Sequence, residues 1–94
     1  MELNEEVERL LNDLDNIPRD SEVPLNIKNL VVPLFRQVSE RANIEEEHVA
    51  SLLVNRKWTE SRKHLSRYRY FLRVLERFHE NEMAWKLLEK APSV

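Results

Sequence analysis

Apolar residues recur every three or four positions along most of this chain, which is the spacing that gathers side chains on one side of an α-helix. Acidic residues fill the other positions near the N-terminus, and Asn16 and Pro18 interrupt the repeat. The pattern therefore predicts a first amphipathic helix from Glu2 to Asp15. Its apolar side would carry Leu3, Val7, Leu10, Leu11 and Leu14.

A second repeat begins near residue 25 and contains a proline at an interior position. Because a proline inside a helix removes one hydrogen bond and clashes with the preceding turn, at a cost of about 3 kcal/mol, we expect a kink or a break at Pro33. Asn43 followed by Glu46 resembles a helix cap, which predicts a short separate helix from Ile44 to about Arg56. The apolar positions of the second repeat are Ile27, Leu30, Val31, Leu34, Val38 and Ala42.

A long helix is predicted from Glu60 to about His79, with Thr59 as its cap, and a short last helix is predicted through Lys90, with Asn81 as its cap. Trp58 and Trp85 flank the long helix and are expected in the core or at its edge, since exposing a large ring to water is unfavourable. At 100° per residue, the long helix separates an apolar side from a basic side. The apolar side, which we expect to be buried, carries Leu65, Tyr68, Phe71, Leu72, Leu75 and Phe78.

The composition disfavours β-structure. Glycine is absent from the 94 residues, so few positions can adopt the left-handed backbone that tight hairpins need. A chain of this length holds one core. We therefore predict an all-α fold in a single domain over residues 1–94, a compact bundle of four to five helices with the long helix near residues 60–79 as its central element.

The chain lacks the residues from which most catalytic and cofactor sites are built. Without glycine it offers no standard phosphate-binding loop or oxyanion hole, and without cysteine it has no thiolate zinc site. Its three histidines, His48, His64 and His79, do not fall at the i, i+4 spacing of a helical metal site. We predict no metal, no cofactor and no enzymatic activity. A small helical enzyme acting through arginines and carboxylates ranks third among the alternatives.

Neither an export signal nor a membrane span is expected. The first six residues include three acids, where a secretory signal would be basic and then apolar. The longest nearly apolar run, from Leu30 to Phe35, is far shorter than the ~20 residues that cross a bilayer. Together with the lack of cysteine, this favours an intracellular protein, cytoplasmic or nucleoid-associated.

Charge is distributed unevenly, although the formal net charge is only −2. Residues 1–24 hold eight acids and two bases, a net −6, whereas residues 55–94 hold ten bases and five acids, a net +5. The basic excess forms a stripe on the long helix, opposite its apolar side, with Tyr70 and Val74 exposed among the bases. Such a stripe fits an anionic partner, and it also fits a contact with the acidic N-terminal helix. The predicted partner-binding residues are Arg62, Lys63, Arg67, Arg69, Tyr70, Arg73 and Arg77.

The segment from residue 38 to residue 53 resembles the helix-turn-helix of the Cro and repressor class of DNA-binding proteins. In that resemblance Ala42 lies where the two helices touch, Asn43 replaces the usual turn glycine, and Val49 anchors the second helix. The residues that would enter the major groove carry carboxylates that would repel phosphates. A turn with a purely structural role fits the same spacing. The groove-facing positions are Glu45, Glu46, Glu47 and His48.

These observations favour a non-enzymatic regulatory or accessory protein that binds another macromolecule, either a protein partner or a larger complex. The Arg-rich side of the long helix is the predicted contact surface. The alternative is a small helical DNA- or RNA-binding protein with a helix-turn-helix-like segment at residues 38–53. The oligomeric state and the identity of the partner stay open.

Overall fold

The computed structural model describes residues 2–18 and 20–90, and within these ranges the regular elements are all helices. The all-α prediction is therefore confirmed, and the first and last helices have the predicted bounds. None of the described helices combines the length and the apolar character that crossing a bilayer requires. The helices are α1 (Glu2–Asp15), α2 (Leu25–Val54), α3 (Trp58–Glu80) and α4 (Glu82–Lys90).

Helix α2 runs without interruption through both predicted breaks. Pro33 lies inside it and is exposed, and Asn43 is an exposed interior residue. The predicted separate helix from Ile44 is therefore wrong, and of the kink or break predicted at Pro33 the break is wrong. The physical reason is the continuity of the apolar stripe, because burying one unbroken row of side chains offsets the loss of one backbone hydrogen bond. That row consists of Val31, Leu34, Val38 and Ala42.

The helix-turn-helix resemblance at residues 38–53 is not borne out by the backbone, because the whole segment lies within α2. The left-handed residue that the resemblance requires at Asn43 occurs instead at Arg56, where φ is 58°. There the Lys57 N–H donates to the Leu52 carbonyl at 2.8 Å, and the Arg56 N–H donates to the Leu53 carbonyl at 3.1 Å. This pair of bonds is a Schellman motif, and it ends α2 at the turn into α3.

Helices α2 and α3 form an antiparallel hairpin. Phe35 lies edge-on to Phe78 with ring centroids 5.5 Å apart, and farther along the hairpin Glu45 pairs with His64. Helix α3 begins at Trp58, so the predicted cap at Thr59 is wrong. The residue in the cap position makes no side-chain capping bond.

The apolar core lies at one end of this hairpin, where α1 and α4 pack against both long helices. In residues 43–69, which we call the arm, Ser61 is the one buried residue. The molecule measures 51 × 26 × 21 Å, and its radius of gyration of 15.4 Å exceeds the roughly 12 Å of a compact domain of this length. It is therefore more extended than the predicted compact bundle. The buried apolar residues are Val7, Leu10, Leu11, Leu14, Val31, Leu34, Val38, Ala42, Phe71, Val74, Phe78 and Ala84.

Replacing Asn81 by alanine is expected to lower the free energy of unfolding by about 1 kcal/mol. The Asn81 Oδ1 accepts the Ala84 N–H at 3.0 Å, as predicted for a cap of the last helix, and its Nδ2 donates to Asp15 Oδ1 at 2.9 Å. Urea denaturation measures the change. Asn81→Ser keeps a capping acceptor and is the control, and equal stability of the two variants would contradict the capping role.

Candidate functional site

The buried side of α3 differs from the predicted one. Leu72, predicted to be buried, is 37% exposed, whereas Val74, predicted to be exposed, is 2% exposed. Phe71 and Phe78 are buried as predicted. Val74 lies one helical turn from both Tyr70 and Arg77, which contact Glu8 of α1, so α1 covers the side of α3 that carries Val74. The opposite side of α3 is consequently more apolar than the sequence pattern suggested.

The structure divides the seven predicted partner-binding residues into two groups. Tyr70 and Arg77 are half-buried against α1: the Arg77 Nη1 donates to Glu8 Oε2 at 2.5 Å, and the Tyr70 hydroxyl donates to Glu8 Oε1 at 3.4 Å. The acidic N-terminal helix thus contacts the basic stripe at one end, and the prediction that Tyr70 and Arg77 are exposed is wrong. The others remain exposed, and they are Arg62, Lys63, Arg67, Arg69 and Arg73.

The contact with α1 also changes the chemistry of Tyr70. Burial raises the pKa of the Tyr70 phenol above its usual value, and the Glu8 carboxylate raises that pKa further through its charge and its hydrogen bond. The Arg77 charge acts in the opposite direction. This tyrosine is therefore held in its neutral form as a donor between two helices, and we assign it to the fold and not to a binding surface.

An apolar seam runs along α3 on the side away from α1. Trp58, Leu65 and Leu72 are seven residues apart, so they share one side of the helix, and we call them the seam. Trp58 is 58% exposed, contrary to the expectation that it would be buried, and Leu65 is half-buried. At the end of α2, across the short turn from Trp58, Val54 is also exposed. Such a row of large apolar side chains is typical of a binding surface.

Arginines border this seam. Arg62 lies one helical turn from both Trp58 and Leu65, and Arg69 lies one turn from both Leu65 and Leu72. Arg73 continues the border beyond the arm. The sequence pattern indicates these arginines but not the seam, because it predicts that Leu65 and Leu72 lie in the core. The exposed surface of α3 therefore combines apolar contacts with positive charge.

A cluster of one carboxylate and two imidazoles lies inside the arm. The Glu45 Oε2 is 2.5 Å from His64 Nδ1, and the His48 and His64 rings meet edge to face with centroids 4.9 Å apart. Glu45, His48 and His64 each offer one potential metal-ligand atom, and these three atoms lie within 4.8 Å of one another. Histidine spacings along single helices do not reveal this cluster, because its members come from two helices. The one sign of the cluster in the sequence is the i, i+3 spacing of Glu45 and His48, which places both on one side of α2. The third residue, His64, comes from α3 across the hairpin.

A hollow of about 430 Å³ lies between the end of α1 and α4, and a second of about 440 Å³ lies on α3 beside Leu72 and His79. Asp15, Arg77 and Lys86 lie on the wall of the first hollow. The charges of the first hollow are mixed and it opens widely to solvent, so it does not identify a class of ligand.

Comparison with known proteins adds no relative: no protein-family model, no curated protein and no solved structure matches this chain.

Proposed function

We propose that this protein is a non-enzymatic accessory or regulatory protein that docks an amphipathic helix of a partner protein along the seam. The observation that carries the proposal is the row of Trp58, Leu65 and Leu72, partly exposed at seven-residue spacing and bordered by arginines. A setting inside the cell, in the cytoplasm or at the nucleoid, belongs to the same proposal.

The spacing of the seam favours a helical partner. Side chains seven residues apart on one helix fit between the side chains of a second helix that lies along it, which is how helices recognise grooves and one another. From Trp58 to Leu72 the seam extends about 21 Å, at 1.5 Å per residue. A partner helix of roughly four turns, with apolar residues at i, i+3, i+4 and i+7, would cover it.

The border of the seam favours acidic residues on the partner. Arg62, Arg69 and Arg73 are exposed, and neither salt bridges nor side-chain hydrogen bonds join them to other described residues. Guanidinium groups bind carboxylates in two-point fashion, and their aliphatic stems extend an apolar contact. Carboxylates on the flank of the partner helix would therefore both add contacts and set its orientation.

Nucleic acid is the alternative partner, since the same arginines could contact phosphates. The apolar seam argues for protein, because exposed leucines add little to phosphate binding, whereas tryptophan and arginine predominate among the strongest contacts of protein interfaces. The α2 side of the arm also exposes Glu46 and Glu47, which would oppose a polyanion that wraps around the arm.

The experiment selects binders from a displayed library of helical peptides and measures their affinity for designed variants. We expect enriched peptides to combine a heptad of apolar residues with acids. Trp58→Ala should weaken their binding by about 30-fold or more, the loss typical of a central interface residue. Replacing Arg62, Arg69 and Arg73 together by alanine should weaken binding and reduce its dependence on salt.

Matched controls separate the site from general charge effects. Replacing Arg9, Lys28 and Arg41 by alanine removes the same charge from other exposed positions, and it should leave peptide affinity nearly unchanged. Binding to DNA or RNA duplexes is measured in parallel. Tight nucleic-acid binding whose salt slope falls by about 1 per arginine removed, with no effect of Trp58→Ala, would replace the protein-partner proposal with the alternative.

A further inference from the structure

The arm brings together three side chains whose ligand atoms lie within 4.8 Å of one another, close enough to hold a metal ion. Glu45 and His48 are one turn apart on α2, and His64 faces them from α3. The Glu45 side chain is 12% exposed and that of His64 is 25% exposed, so both are held in place, whereas His48 is exposed to solvent. Two imidazoles and one carboxylate are the protein ligands of many zinc sites that keep a fourth position for water.

We propose that Glu45, His48 and His64 bind one divalent transition-metal ion of the zinc class. At metal–ligand distances of 2.0 to 2.2 Å, tetrahedral ligand atoms lie about 3.3 Å apart. The three ligand atoms already lie within 4.8 Å of one another, so small side-chain rotations bring them to that spacing. The ion would lie between His64 Nδ1 and Glu45 Oε2, whose separation of 2.5 Å would widen to that spacing as the ion binds.

Imidazole nitrogens determine the class of metal. Magnesium and calcium prefer oxygen ligands, whereas zinc, copper and nickel bind imidazole well. The Arg67 Nη1 lies 3.9 Å from Glu45 Oε1, the carboxylate oxygen farther from His64. Its positive charge opposes the ion, and its side chain is 57% exposed, which moderates that opposition through solvent screening. Arg67 therefore weakens the site without occupying it.

The location of the site gives it a structural role. Ligands from α2 and α3 tie together the two helices of the arm, where Ser61 is the one buried residue. Because the ion binds the folded arm and not the unfolded chain, its binding free energy adds to stability. This inference does not depend on the proposed docking of a helix along the seam.

The test titrates the untagged protein with Zn²⁺ by calorimetry and with Co²⁺ by visible absorption, which reports tetrahedral coordination. We expect one equivalent to bind, and the melting temperature to rise by about 10 °C at a free Zn²⁺ concentration of 100 times Kd. His48→Ala should weaken binding by more than about 100-fold, since loss of an outer-shell partner alone costs 10- to 100-fold. Arg67→Gln should tighten binding.

Two further variants serve as controls. Glu47→Gln alters an exposed acid next to the site, and His79→Ala removes a histidine outside the arm, so both should bind Zn²⁺ like the wild type. His48 is exposed, so its replacement leaves the fold intact. The proposal is overturned if the wild type binds less than one equivalent, or if His48→Ala retains wild-type affinity.

Discussion

Replacing Phe78 by alanine is expected to lower the free energy of unfolding by about 3 to 5 kcal/mol. Phe78 has no exposed surface, and its ring packs edge-on against Phe35 in the core, at the end of the hairpin farther from the turn. Alanine would leave a cavity that the surrounding helices fill only in part. Since domains of this size are stable by about 5 to 15 kcal/mol, much of the protein's stability would be lost.

The matched variant is Leu72→Ala on the same helix. If Leu72 lay in the core, as the sequence pattern predicts, this change would lower the free energy of unfolding by about 2 to 5 kcal/mol. With 37% of Leu72 exposed in the structure, we now expect a loss of about 1 kcal/mol or less. Urea denaturation of both variants measures the difference. Equal losses for the Phe78 and Leu72 variants would show that the buried side of α3 is the predicted one after all.

Replacing Pro33 by alanine is expected to stabilise the protein by about 1 to 2 kcal/mol. Pro33 is an exposed interior residue of α2, and an interior proline costs a helix about 3 kcal/mol through a lost hydrogen bond and a steric clash. Alanine restores the N–H that the Asn29 carbonyl can accept. Part of the gain is offset, because the unfolded chain becomes more flexible without the proline.

Pro24 provides the control for this effect. It occupies the cap position of α2, with φ at −54°, where a missing N–H has no partner to lose. Pro24→Ala should therefore leave stability unchanged or lower it slightly. The melting temperature and the urea midpoint of both variants decide the question. A Pro33 variant that is no more stable than the wild type would show that α2 accommodates the proline without strain.

The helical class and the ends of α1 could be predicted from the sequence because their signals are local. Val7, Leu11 and Leu14 have no competing apolar side, so the helix has a single way to face the core. Asn81 could be identified as a cap because its signal needs only the residues that follow it. Local patterns of this kind do not depend on which other helix is nearby.

The buried side of α3 and the metal-binding cluster depend on contacts between helices. Apolar residues occupy more than half of the circumference of α3, so periodicity alone leaves both Leu72 and Val74 as candidates for burial. Val74 is the buried one of the two because α1 contacts α3 at Tyr70 and Arg77, on the same side of the helix as Val74. In the same way, His64 meets Glu45 because the Arg56 turn sets the register of the hairpin, and no spacing along the chain encodes that distance.

The arm contains no buried apolar side chain, so the residues that stabilise the fold are different from those on the proposed binding surface. Most substitutions in a core destabilise, and a protein tolerates only a few before it falls below the stability that function requires. This limit applies less to the arm, because Trp58, Arg62 and Arg69 are exposed and their replacement removes almost no buried apolar contact from the core. The surface of the arm can therefore vary under selection for a new partner, while α1, α4 and the buried ends of α2 and α3 keep the chain folded.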